Sequence, residues 1–333
     1  MIKYFIFQIP LIPSARNCKI GAFMKLIHVL IAILVAAIWG FNFVVVKIGL
    51  SELPPFMYGA GRFLIALTPI IFFWRKPNVS WKIISGIGFT LGLTKFSLMF
   101  LGIYFGMSAG LASLVLQSQV FFTVALSIVI FGSRLQFNQI LGMIVAFVGI
   151  FMIGWQMQAT SSLVGFLCIL GSSVAWSISN ILYRKAGDVD MFHLTVWTSL
   201  IPPIPMLCAA YYFEGQYSLL DCLASLSWVG YICLLFTACA STWIGATLWG
   251  VLLKTYDPTH VAPFSLLIPV FGISSAWVVI GEELSLMTLF ACSLVFLGLI
   301  INQFNVELLP KILFKSEALA EALPANKSLD KAA

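Results

Sequence analysis

Arg62 and Lys95 are the two charged side chains inside the long apolar stretches of this 333-residue chain, and no Asp or Glu accompanies them in any of those stretches. A charge held inside a bilayer costs roughly 2.5 kcal/mol or more, so it needs a paired acid, a wet cavity or a ligand. With the acid absent, the two cations point to a cavity that receives a solute with a negative group. A guanidinium offers a planar fork of donors that suits a carboxylate, and an ammonium offers a compact point charge.

Neutral polar residues surround this pair in sequence. Gln117 and Gln119 lie two apart on one apolar stretch, so they point to different sides of a helix, and at most one faces a given cavity. Asn42 and Asn180 sit near the ends of two others, each preceded by a tryptophan, Trp39 and Trp176. These amides could bind a solute or form matching gates; interhelical hydrogen bonding is the plainer role. Arg62 could likewise snorkel to the interface. Lys95, ~18 Å along its helix, is too deep for that and is expected to line a polar cavity. The two tryptophans fit cavity wall and packing equally.

The elements that position these residues follow from hydropathy. The chain is 61% hydrophobic and 9% charged, against about 25% charged in soluble domains. Apolar segments at 26–46, 56–74, 83–105, 109–131, 137–154, 163–183, 193–213, 228–253, 260–280 and 287–306 match the ~20 residues that span a bilayer. The fold class is therefore an all-α membrane protein with ten transmembrane helices. Of the 18 Lys and Arg residues, fifteen fall in loops and termini of one side if the N-terminus is cytoplasmic. The positive-inside rule then places both termini in the cytoplasm.

The halves resemble each other. Phe131-Gly132-Ser133-Arg134-Leu135 matches Ile280-Gly281-Glu282-Glu283-Leu284 at an offset of 149 residues, and Trp39-Gly40-Phe41-Asn42 resembles the stretch from Trp176 to Asn180. Five helices per unit is an odd number, so the second copy must cross in the opposite sense. Inverted repeats of this kind place a transporter's substrate site near the midplane. The expected organisation is an N-terminal extension over 1–25 (translation could begin at Met24), a first repeat over 26–154, a second over 163–306 and a cytoplasmic tail over 307–333. The second half lacks counterparts to the two cations. It carries prolines instead: Pro202, Pro203 and Pro205 in helix seven, Pro263 and Pro269 in helix nine. These bend helices and are candidate hinges, with static kinks as the alternative. Gly88-xxx-Gly92, Gly102-xxx-Gly106 and Ser241-xxx-Gly245 offer close helix contacts.

No catalytic motif is present, the seven cysteines form no C-x-x-C, and the histidines do not cluster, so neither an enzyme nor a metal site is indicated. No cofactor and no nucleic-acid partner is expected; the partners are a small-molecule substrate and the lipid bilayer, with the chain a monomer or homodimer.

Four segments carry a resemblance: 39–47 (Trp39-Gly40-Phe41-Asn42-Phe43-Val44-Val45-Val46-Lys47), Gly61-Arg62-Phe63, Gly110 to Gln119, and Val261 to Val270. Through them residues 26–306 resemble the EamA branch of the drug/metabolite transporter superfamily, and within it the bacterial O-acetylserine/cysteine exporters. The resemblance implies an inner-membrane carrier that exports small metabolites such as cysteine and O-acetylserine by alternating access. Lys95 departs from the pattern of that subgroup and would favour a more anionic solute. Other same-fold solutes, drugs or nucleotide-like molecules, remain alternatives, as does a membrane-embedded enzyme. Proton coupling would require a histidine, Lys95 or the substrate itself; exchange and facilitated efflux are equally open.

Overall fold

The computed structural model describes residues 24–68, 76–131, 137–157, 163–187, 189–215, 219–255, 261, 264–265, 267–283 and 285–303. The N-terminal extension before Met24, the tail after Gln303 and Pro263 lie outside the described residues. Those described form helices and turns, with no strand among them. We label the main helices α1 (Leu26–Gly49), α2 (Pro55–Leu67), α3 (Trp81–Tyr104) and α4 (Ala109–Val115, Leu116–Ser118 and Gln119–Phe131 in succession). They continue with α5 (Phe137–Met157), α6 (Leu163–Ala186) and α7, which is split into Met191–Thr198 and Pro203–Phe213. After a short helix at Leu219–Ala224 come α8 (Trp228–Leu235, Phe236–Gly245 and Ala246–Thr255), α9 (Leu267–Ile280) and α10 (Leu286–Gln303). Five spans are long and apolar enough to cross a membrane: Leu26–Gly49, Trp81–Tyr104, Leu163–Tyr183, Met191–Phe213 and Trp228–Leu252. Shorter apolar helices accompany them.

Short polar signals set the helix starts. Ser108 and Ser227 accept hydrogen bonds from the first free amides of α4 and α8, as an N-cap should. Pro54 and Pro55 open α2, where a missing N–H costs nothing. Gly106 takes a positive φ of 98° to turn α3 into α4.

Two helices depart from the simple apolar reading. Helix seven is interrupted between Thr198 and Pro203, because Pro202 and Pro203 supply no N–H to continue the ladder. Helix nine, expected from residue 260, is continuous from Leu267; Pro269 lies in its first turn, where an imide nitrogen is tolerated. Two further irregularities have no sequence signal. Gly88–Lys95 in α3 and Phe236–Gly245 in α8 are wide, i→i+5 turns. Shifted by 149 residues, the first range falls inside the second.

The main pairings are α5 with α10, α1 with α9, α4 with α6, α3 with α6, α1 with α8, α2 with the second part of α7, and α4 with α9. Moving every helix number by five returns the same set. Close approach is needed at two crossings. A Cβ on Gly92 would strike the Pro202 ring, so the wide segment of α3 nests against the break in α7. A Cβ on Gly40 would lie 2.5 Å from the Ile268 carbonyl, where α1 meets α9.

Candidate functional site

Arg62 lies in α2 and is 1% exposed. Burial leaves its fork dependent on local partners, and the structure supplies one: Nη2 donates to the Thr242 hydroxyl at 2.7 Å. Nε and Nη1 are buried without a hydrogen-bond partner. The guanidinium carbon rests 3.8 Å from the centre of the Phe96 ring and 5.0 Å from that of Phe63.

Lys95 ends the wide segment of α3 and is 7% exposed. Its ammonium sits 3.6 Å from the same Phe96 ring and 5.0 Å from Trp176. The Lys95 carbonyl accepts from the Ser172 hydroxyl of α6 at 2.7 Å, which fixes the backbone of this turn. The two distances to Phe96 bound the separation of the two charges at 7.4 Å. Two protonated groups that close repel by about 2 kcal/mol at an effective dielectric of ~20. Cation–π contact returns ~2 kcal/mol when desolvated, against a burial cost of several kcal/mol per ion. The aromatic ring alone therefore does not balance the pair. Among the described residues the one ion pair is Lys47–Glu282, far from this ring in sequence and at the end of α1.

The wide segment of α8 explains how Arg62 finds its partner. Tyr58 and Arg62 are four apart, on one face of α2. Thr237 and Thr242 are five apart, on one face of a helix wound at i→i+5. The Tyr58 hydroxyl meets Thr237 at 2.8 Å while Arg62 meets Thr242, so two registers of different pitch are matched rung for rung. Thr242 also donates to the Thr237 carbonyl at 3.0 Å, five residues back. Sequence reasoning missed both threonines, because the 3.6-residue periodicity carries no trace of a wide turn.

The remaining sequence candidates separate into two groups. Trp39 donates its indole N–H to the Ser241 carbonyl at 3.0 Å and packs edge-close on Gly245, so α1 joins the segment that holds Arg62. Asn42, one turn along α1, is buried and its Oδ1 lacks a partner. Trp176 stands beside Lys95. Gln117, Gln119 and Asn180 are engaged elsewhere: Gln117 donates to the Ser265 carbonyl at 3.2 Å, and Asn180 donates to Gln119 Oε1 at 2.8 Å and to Thr123 at 3.1 Å. The two glutamines do diverge, and both make interhelical bonds. Of the prolines, Pro202 caps the second part of α7, Pro203 and Pro205 lie in its first turn, and Pro269 lies in that of α9.

A second polar region lies where α1, α3, α7 and α9 end. The Glu282 carboxylate takes the Lys47 ammonium at 2.6 Å and the α4 amides of Ala109 and Gly110 at 2.8 and 3.1 Å. Glu214 takes the α2 amides of Phe56 and Met57 at 2.5 and 3.0 Å. Glu52 takes the amide and hydroxyl of Ser227, the cap of α8, at 3.0 and 2.6 Å. Each carboxylate holds a helix start in the other half of the chain, where the free amides and the helix dipole favour an anion. Burial pushes the Glu282 carboxyl up, but Lys47 and the two amides outweigh it and hold it below its ordinary value. Burial of Glu214 prevails over its two amides and raises it.

Comparison with known proteins agrees with this architecture. The pattern of the EamA-like transporter family matches twice, over residues 26–155 and 163–303. A protein of Salmonella typhimurium named "Probable amino-acid metabolite efflux pump" is 38% identical over 284 residues, covering 83% of this chain and 94% of the relative. Its Escherichia coli namesake is 36% identical over 283 residues, with the same coverage. A solved crystal structure shares the fold at 17% identity with a TM-score of 0.57, over 84% of this chain and 96% of that one. The doubled helical architecture and the paired family matches make this chain a multi-pass membrane protein of the EamA-like transporter family.

Proposed function

We propose that this protein exports small zwitterionic or anionic metabolites, amino acids such as cysteine and O-acetylserine, across a bacterial cytoplasmic membrane. The solute carboxylate docks on an unpartnered donor of Arg62, Nε or Nη1, beside Thr242 and the Phe96 ring. Asn42 Oδ1 is the free acceptor suited to the solute ammonium. The carrying observation is Arg62 itself: a nearly inaccessible guanidinium with two unpartnered donor atoms and no acid among the described residues to balance it. The names of the two efflux-pump relatives support amino-acid metabolites as the solute class.

Transport proceeds by alternating access between two inverted five-helix repeats, with ten crossings and both termini in the cytoplasm. The self-matching set of helix pairings and the positive-inside count support this arrangement. In that orientation the three carboxylate clamps lie at the outer face, so this state is latched on the outside. The broken α7 supplies a bending point, and Trp39 and Trp176 line the path.

Counterflow in proteoliposomes tests the reading. Vesicles loaded with unlabelled cysteine or O-acetylserine should concentrate the labelled compound from outside, and empty vesicles should not. Equal labelling of loaded and empty vesicles for both compounds would remove amino-acid export as the function.

A further inference from the structure

We propose that the preferred solute is an acidic amino acid, with one carboxylate on Arg62 and the second anionic group on Lys95. The inference rests on the amino-acid reading above and narrows it by charge.

The geometry points this way because the site holds two basic side chains, not one, and an anion arriving beside Lys95 favours its protonated form. Both lie against the same ring, at 3.8 and 3.6 Å from its centre, so the two groups are at most 7.4 Å apart, within the span of a solute with two anionic groups. Arg62 has unpartnered donors at Nε and Nη1, either of which can hold a carboxylate oxygen in a charge-assisted hydrogen bond. Lys95 has ring contacts only, with Phe96 and Trp176, and its ammonium is free to take a second anion. A neutral amino acid brings equal positive and negative charge and leaves the buried excess where it was. An acidic amino acid brings one net negative charge and lowers it. A cationic amino acid adds to it, and an unfavourable charge inside a low-dielectric site is rejected strongly. The order of affinity is then acidic, neutral, cationic. The acidic side chain gains from Lys95, whose contacts are aromatic.

The ring offsets part of the cost of holding two cations without an acid, and the remainder is the demand an anionic solute meets. With the site empty, Phe96 is the shared counterpart of both. With an acidic solute bound, each cation has an anion, and the ring becomes a wall. Binding and release thus exchange aromatic contacts for ionic ones at the same two residues.

The test is counterflow of labelled L-aspartate, L-serine and L-lysine with the purified full-length protein in proteoliposomes. Half-saturating aspartate should be about tenfold below serine, and lysine should not exchange. Lys95→Gln should bring the aspartate-to-serine ratio near one, and Lys95→Arg, which keeps the charge, should retain the preference and show that folding at this position is intact. Serine exchange without aspartate exchange would overturn the inference and leave amino-acid export standing. An unchanged ratio in Lys95→Gln would overturn the role given to Lys95. If none of the three amino acids exchanges, this inference falls, and counterflow of cysteine and O-acetylserine decides the amino-acid reading.

Discussion

The middle of the bundle and the end where α1, α3, α7 and α9 finish handle charge in opposite ways. At that end Glu52, Glu214 and Glu282 are all satisfied, each by two or more donors from the other half of the chain. In the middle Arg62 has one hydrogen bond and two unpartnered donor atoms, and Lys95 has aromatic faces. A fully satisfied charge builds structure, because losing a partner leaves a buried orphan. A half-satisfied one is a demand that a ligand can meet. The satisfied end therefore suits a structural clamp, and the unsatisfied middle suits the proposed binding site.

The sharpest break in that comparison is Arg62→Ala. Transport should fall to background while the amount of protein in the membrane and its melting temperature stay near the parent values. Full activity would make Arg62 structural, like the three carboxylates. Glu282→Ala should do the reverse and cost stability first. It removes an ion pair and two acceptors at a helix start, on the order of 2–3 kcal/mol, seen as a lower melting temperature in detergent.

Thr242→Val keeps the shape but removes the one partner of Arg62. The loss of a hydrogen bond to a charged group predicts roughly tenfold weaker solute affinity, read from the concentration dependence of counterflow. An unchanged affinity would detach the wide segment of α8 from the site.

The smallest effect separates the two clamps by pH. The raised Glu214 carboxyl favours the folded state below its ordinary pKa, and that benefit fades as pH rises. The lowered Glu282 carboxyl stabilises above its ordinary pKa, and that benefit is lost as pH falls through its folded value. Acidification from neutrality towards the ordinary carboxylate pKa should therefore raise the melting temperature slightly through Glu214, and acidification below that value should lower it through Glu282. Glu214→Gln should flatten the first limb and Glu282→Gln the second; identical profiles for both variants would contradict the assignment.

Much of this was legible in the residues, for a physical reason. Hydropathy and helix length expose the apolar segments, and a charge among them is conspicuous, so Arg62 and Lys95 stood out without coordinates. The prolines of helix seven signalled a bend, because proline removes a donor, but not the full interruption between Thr198 and Pro203. The wide segments were not legible. A helix of i→i+5 pitch uses ordinary residues, so the pairing of Thr242 with Arg62 and of Thr237 with Tyr58 had no sequence signal. The carboxylate clamps were hidden for another reason: Glu214 and Glu282 lie in short loops, and only the fold brings them to helix starts in the other half. Asn180 and Gln119, taken singly as candidates, are bonded to each other across helices.

Equilibrium binding of labelled amino acid to the purified protein and to Arg62→Ala tests the central claim most directly. Saturable binding to the parent that weakens at least tenfold in Arg62→Ala, with the melting temperature unchanged, is the result expected of a solute-binding guanidinium. Equal binding by the two proteins would contradict it.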